Sequence, residues 1–404
     1  MTQEDLKQER IYVLLLAAIQ FAHIVDFVVM MPLGPVLIKE FGISPAQFGG
    51  LVSSYNYAGA IAGIMFGLIA DRFARRTLLG WVMAGFIIGT FLCGMATSFS
   101  LLLTARIFTG VFGGILNALV LAIVTDLVPF VRRGTAMGVV MSSFSVASVL
   151  GVPLGLTIAD YMGWKWTFFF IASFSVLIWL AALKVLPHLV PEMKSGTAKQ
   201  VLKRYLRIGT KADYLKAYSL IFLAAMTMFI LIPFLAPYAV SNIGIETHQI
   251  KYMYFFGGAA TVLTARLFGK LTDRLGSFKM YMILALISIA PVLLYTNAGP
   301  MSVVFYVLMG MFFMTIVSGR MIPCMTLISS VPAQEDRGTF MGLLNSVRSL
   351  GSATATLIGG LIIVETNQGM KNFDISGYLS ITLVIITIIV ARFIESSKNS
   401  AVIS

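Results

Sequence analysis

Gly67-Leu68-Ile69-Ala70-Asp71-Arg72 reads GLIADR, and 202 positions later Gly269-Lys270-Leu271-Thr272-Asp273-Arg274 reads GKLTDR. Each closes the second apolar stretch of its half of the chain. The echo is not alone. Val128-Pro129 followed by Arg133-Gly134-Thr135-Ala136-Met137-Gly138 returns as Val331-Pro332 followed by Arg337-Gly338-Thr339-Phe340-Met341-Gly342. Pro32 and Pro35 return as Pro233 and Pro237. All the offsets lie close to half of the 404 residues, so the chain is an internal duplication. It divides into residues 1–186, a basic segment 187–215 and residues 216–404.

Composition decides what is duplicated. Hydrophobic residues make up 58% and charged residues 11%, with a mean hydropathy of +0.91. A water-facing globular surface needs roughly 25% charged residues, so most of this chain faces lipid. A bilayer core takes about 20 apolar residues per helix. That ruler gives spans near 11–38, 46–70, 77–97, 99–127, 133–160 and 165–186. After the basic segment it gives 216–242, 249–272, 278–298, 301–330, 338–365 and 376–395. The expected fold is an all-α membrane protein of twelve transmembrane helices in two pseudo-symmetric six-helix bundles. Insertion is expected through the first span, which is too long for a cleaved signal peptide.

The net charge of +12 is distributed by side of the membrane rather than over one soluble face, so no nucleic acid is implied. Arg72, Arg75, Arg76, Arg132, Arg133, Lys270, Arg274 and Arg337 fall with the middle segment on one side. Lys39, Lys165, Lys251 and Lys371 fall on the other. Basic loops stay in the cytoplasm, which puts both termini there and makes anionic lipid a partner. Cys93 and Cys324 lie inside spans without metal-ligand spacing, so neither a metal nor a disulfide framework is expected.

The stretch GLIADRFARR, Gly67 to Arg76, resembles the loop signature of the major facilitator superfamily. LLTARIFTGVFGG, Leu102 to Gly114, is similar to the fourth-helix signature of its drug:proton antiporters. ASVLGVPLG, Ala147 to Gly155, resembles their fifth-helix signature. Two positions depart from the pattern: Ala74 stands where a glycine is usual, and Val152 separates Gly151 from Pro153. The resemblance implies a secondary transporter of a bacterial inner (cytoplasmic) membrane, working by alternating access between two bundles. It implies a monomer that exports small drug-like molecules or metabolites in exchange for protons. A sugar or small-metabolite facilitator or symporter is the alternative, and a non-transporting receptor a more distant one.

Ionisable side chains inside hydrocarbon are costly and mark function by default. Gln20, His23 and Asp26 recur at three-residue intervals on the first helix. At 1.5 Å per residue, Asp26 lies about 22 Å along that helix and Arg106 about 10 Å into the fourth, which are matching depths from opposite ends. Asp26 is expected to carry the transported proton and His23 to share it, and the resemblance implies that Asp26 and Arg106 both stand beside the cavity. Arginine favours the charged carboxylate and burial the neutral one, so movement between wet and dry surroundings loads and releases the proton. A structural Asp–Arg pair is the competing reading.

Gln20, Tyr55, Arg320 and Arg348 are expected to line a substrate cavity, the arginines attracting anionic or polar groups. Asp71, at a helix end beside Arg72, Arg75 and Arg76, is expected to latch the cytoplasmic side, with Gly67 allowing close approach. The family resemblance supports that gating role, and Asp273 and Arg274 repeat it in the second half. Pro153 between Gly151 and Gly155 is expected to bend the fifth helix. Asp160 and Glu365 are expected to close the outer ends of helices five and eleven. No HExxH, GxSxG or Walker loop is present in the sequence, so neither an enzyme nor a cofactor is implied.

Overall fold

The structure is a computed structural model that describes residues 3–69, 74–187 and 198–403. Apart from one short hairpin it is helical. The helices are α1 (Gln3–Val29), α2 (Gly34–Phe41), α3 (Pro45–Ile69), α4 (Arg75–Met95), α5 (Phe99–Leu127), α6 (Phe130–Val146), α7 (Val152–Met162) and α8 (Trp164–Val185). They continue as α9 (Ala198–Thr210), α10 (Ala212–Phe229), α11 (Leu235–Tyr238), α12 (Ile250–Leu275), α13 (Ser277–Ile287), α14 (Ile289–Thr296), α15 (Val303–Gly319), α16 (Met321–Ser329) and α17 (Arg337–Ile362). Strands β1 (Val364–Thr366) and β2 (Gly369–Lys371) pair antiparallel before α18 (Phe373–Ile403).

Ten spans among the described residues are long and apolar enough to cross a membrane. The other two expected spans are α12 and α17. Each has 26 residues, which is about 39 Å of helix and ample for a bilayer. They fall short in apolarity because they carry Arg266, Lys270, Arg274, Arg337 and Arg348. Glu365 does not close α17, which ends at Ile362. It sits in β1, whose backbone bonds to β2 rather than continuing a helix.

The described chain divides into two compact units. One comprises Met1–Met30 and Tyr57–Lys203, the other Met31–Asn56 and Arg204–Ser404. The repeated prolines mark where the helices break. α1 stops at Val29 and α2 starts at Gly34, with Pro32 between them. α10 stops at Phe229 and gives way to a 3-10 turn, Ile232–Phe234, that holds Pro233. Proline has no N–H to donate and its ring crowds the preceding turn, so the same residue interrupts both halves.

The first unit is cored by apolar side chains of α1, α4, α5, α6 and α8, with Leu16, Ile19, Met83, Phe86, Leu116 and Leu119 fully enclosed. Polar groups cross-link the helices: Ser143 donates to the Ala17 carbonyl, and Trp179 Nε1 to that of Gly80. A Cβ at Gly59 would stand 3.1 Å from the Gly110 carbonyl oxygen and 3.4 Å from the Gly114 Cα, so α3 and α5 touch backbone to backbone.

In the second unit α10 is the axis. Thr356 of α17 donates to the Phe229 carbonyl and Ser380 of α18 to the Thr227 carbonyl. The start of α3 belongs here too. A Cβ at Gly49 would meet the Thr356 carbonyl at 2.8 Å, and one at Gly360 would meet the Pro45 carbonyl at 2.7 Å.

Candidate functional site

Asp26 and Arg106, at matching depths by helix rise, form an ion pair inside the first unit. Arg106 Nη1 donates to Asp26 Oδ2 at 2.8 Å, and both side chains are fully buried. Thr90 of α4 donates to Asp26 Oδ1 at 3.1 Å. Because α1 ends three residues later, the Asp26 carbonyl lies in the last turn of the helix. Arg106 Nη1 also lies 3.4 Å from that oxygen, and a cation there is favoured by the helix dipole. Asp26 thus ties together α1, α4 and α5. Cys93 lies one turn beyond Thr90, its Sγ 3.8 Å from Thr109 Oγ1.

The two other polar residues of α1 face the same neighbours. Gln20 Nε2 donates to Asn117 Oδ1 of α5 at 2.8 Å. The His23 ring is half-buried, 6.2 Å from that of Phe86 on α4. Against the opposite side of the Asp26 turn packs the glycine face of the fifth span. A Cβ at Gly155 would meet Val29 Cγ2 at 2.9 Å, and Gly151 abuts Val25. Just before Pro153 the helix widens into a π turn, Ala147–Gly151. A proline at this point removes a donor and loosens the preceding turn.

In the second unit Arg320 stands at the joint between α15 and α16 and is 1% exposed. Its Nη1 donates to Ser288 Oγ at 3.2 Å and its Nη2 to Thr227 Oγ1, while Nε has no partner. Ser288 itself stands at the break between α13 and α14. Arg348 lies mid-way along α17 and is exposed, whereas Gln20 and Tyr55 are buried.

Of the latch residues, Asp71 and Arg72 lie outside the described residues. Gly67 is half-buried near the end of α3. Arg75 is buried against Asp126 of α5, Nε to Oδ2 2.8 Å, and Arg76 donates to the Leu183 carbonyl. Asp273 and Arg274 are exposed at the end of α12. Sequence reasoning missed four partners: Thr90, Asn117, Asp126 and Asp336. Asp336 immediately precedes α17, and its carboxylate accepts from Arg207 Nη2 at 2.9 Å and Tyr214 Oη at 3.1 Å. For Asp126 and Asp336 a signal existed, since each is a carboxylate within a few residues of a repeated Val-Pro. Among the described residues no cluster could hold a metal ion.

A polytopic helical protein with charged groups paired inside its spans is a membrane carrier in build, and the comparisons give the family. The model of the Major Facilitator Superfamily matches residues 16–356 and 217–403, and the chain belongs to that family. As a member it is a multi-pass transporter of small molecules and not an enzyme. It is 26% identical over 353 residues to the uncharacterized MFS-type transporter YceJ of Bacillus subtilis (strain 168), covering 87% of this chain and 89% of that one. In structure it is similar to a bacterial homolog of the human lysosomal transporter Spinster in an inward-facing, unoccupied conformation. There the TM-score is 0.76 at 17% identity, over 96% of this chain and 98% of that one. A D-xylose-proton symporter matches with a TM-score of 0.74 at 16% identity, over 93% and 96% of the two chains. At these identities the two structures share the fold.

Proposed function

We propose that the chain exports small drug-like molecules or metabolites across a bacterial inner (cytoplasmic) membrane in exchange for protons, by alternating access, with both termini in the cytoplasm. The observation that carries this reading is the buried Asp26–Arg106–Thr90 cluster. It is the single carboxylate among the described residues that is wholly enclosed within a span.

A buried ion pair is stable while both charges are present and costly once one is neutralised. Protonation of Asp26 leaves Arg106 charged in a dry interior, so the proton is accepted only when Arg106 gains another partner or water. That requirement ties proton uptake to movement of α1 against α4 and α5. The π turn at Ala147–Gly151, seated on Val25, gives the fifth span slack beside the same turn. His23, one turn away and half-buried, is placed to pass the proton toward water.

The test is substrate-induced proton movement in proteoliposomes, wild type beside Asp26→Asn, screened with cationic, neutral and anionic compounds. Proton movement that opposes substrate flux and is lost in the variant supports antiport through Asp26. Measurable substrate counterflow, which needs no gradient, checks that the variant is folded. Coupled transport that persists unaltered in Asp26→Asn would sink the assignment. Proton and substrate moving in the same direction would favour uptake, as in the D-xylose-proton symporter that shares the fold.

A further inference from the structure

The two units neutralise their membrane-embedded charge differently. In the first, Arg106 is matched by Asp26. In the second, Arg320 and Arg348 have no carboxylate partner among the described residues. Every acidic residue of that unit sits at or beyond a helix end, or, for Glu395, at the end of the apolar stretch of α18. Arg320 is enclosed and bonded only to two neutral hydroxyls, with Nε unpartnered. An arginine keeps its proton in any protein environment, so the interior of this unit carries a positive charge that no carboxylate among its described residues cancels.

Arg348 shows where that charge can be reached. It lies about 16 Å from the start of α17 and about 21 Å from its end at 1.5 Å per residue. At that depth its side chain is exposed, with no ion-pair or hydrogen-bond partner among the described residues. It belongs to a polar stripe. Gly338, Gly342, Asn345 and Ser349 follow at helical spacing along α17, exposed or half-exposed, with Arg348 among them. The opposite face of α17, through Gly351, Thr356 and Gly359, packs on α10, so the stripe is held rigidly.

We infer that the transported molecule is an organic anion, its carboxylate, sulfonate or phosphate group received by Arg348 with Asn345 and Ser349. Arg320 reinforces the positive field from behind α10. A guanidinium offers two parallel donors to such a group, and Asn345 and Ser349, one turn and one residue from Arg348, add neutral ones. An anion completes the charge balance that the described residues of this unit lack, whereas a cation would face two arginines with no carboxylate among them. The inference rests on the transporter reading and adds to it the class of substrate.

Three fluorescent probes of one scaffold test it: dansylglycine (anionic), dansylamide (neutral) and dansylcadaverine (cationic). Flux of each is measured in proteoliposomes containing the full chain, wild type and Arg348→Gln. Dansylglycine is expected to be carried, and R348Q to reduce its flux by about tenfold or more, the effect of losing one charge-assisted contact. Arg348→Lys, which keeps the charge without the fork, is expected to fall between. Dansylglycine is also expected to raise the melting temperature of the detergent-solubilised wild type and not that of R348Q, whose own melting temperature reports its folding. Carriage of dansylcadaverine or dansylamide in place of dansylglycine would overturn the inference, as would dansylglycine flux and protection indifferent to R348Q. Proton movement read in the same vesicles separates the two readings. Anion flux without it leaves the anionic class standing and removes proton coupling, whereas coupled flux of a cation does the reverse.

Discussion

Asp26 and Arg106 hold each other in a space that excludes water, and their removal one at a time is expected to differ from their removal together. Asp26→Asn strands a guanidinium that cannot shed its charge, and Arg106→Gln strands a carboxylate that can take up a proton. Breaking a buried pair costs about 3–5 kcal/mol because it leaves an uncompensated charge, whereas neutralising both members together leaves none. Thermal unfolding in detergent is therefore expected to rank wild type and the double variant D26N/R106Q together, R106Q below them and D26N lowest. Additive losses in the double variant would show that the two side chains contribute separately and that the pair is not the unit. Thr90→Val removes the second donor to the carboxylate and is expected to cost about 1–2 kcal/mol by the same measurement.

At the scale of helices, contact is set by which glycines meet backbone. Gly114 of α5 lies against Gly59 of α3, while at Gly138 of α6 an added Cβ would meet nothing within 4 Å. Gly114→Ala must push two backbones apart, an overpacking that costs about 1–3 kcal/mol. Gly138→Ala is expected to be neutral or to stabilise by up to about 1 kcal/mol, since alanine is the better helix former. A melting-temperature series that ranks these two the other way round would refute the close α3–α5 contact.

A second helix-scale feature is a charge-reversed clamp. Arg132, at the start of α6, holds Glu9 of α1 through two bonds of 3.0 and 2.6 Å. Its counterpart in the repeat is Asp336, which holds Arg207 and Tyr214. The duplication keeps the joint and inverts its sign.

Much of this was legible in the chain, and what was not has physical reasons. Helix rise alone put Asp26 and Arg106 at one depth, because a span of known length is a ruler. The prolines announced the breaks after Val29 and Phe229, because a missing N–H interrupts a helix wherever it falls. Thr90 and Asn117 gave no such signal, since a hydroxyl or amide in an apolar helix is as readily bonded to its own backbone. The segment 187–215 read as a basic linker, yet 198–210 is helical. Its charges masked an apolar periodicity that buries Ile208 in the second unit. The β1–β2 hairpin was illegible because two strands of three residues are too short for an alternating pattern to register.

For the whole molecule, the internal repeat and the compact units do not share a boundary. Residues 31–56 stand in the first half of the sequence but in the second unit, where Phe48 meets Phe234 edge to face at 6.1 Å and Gly49 lies against Thr356 and Gly360. One helix, α3, is therefore supported by different partners along its length: its first part by α17, its later part by α5 through Gly59 and Gly114. A chain ended after Lys203 keeps the partners of the later part and loses those of the first. Val52 and Ala60, each 1% exposed, report on the two parts, and the natural cysteines Cys93 and Cys324 are both buried. In the full chain, single cysteines at either position are expected to resist a soluble maleimide. In the 1–203 half-chain, Val52→Cys is expected to react and Ala60→Cys to stay protected. Protection at both would mean that 31–56 is held by the first half of the sequence itself. Reaction at both would mean that α3 and α5 do not stay together without the second unit.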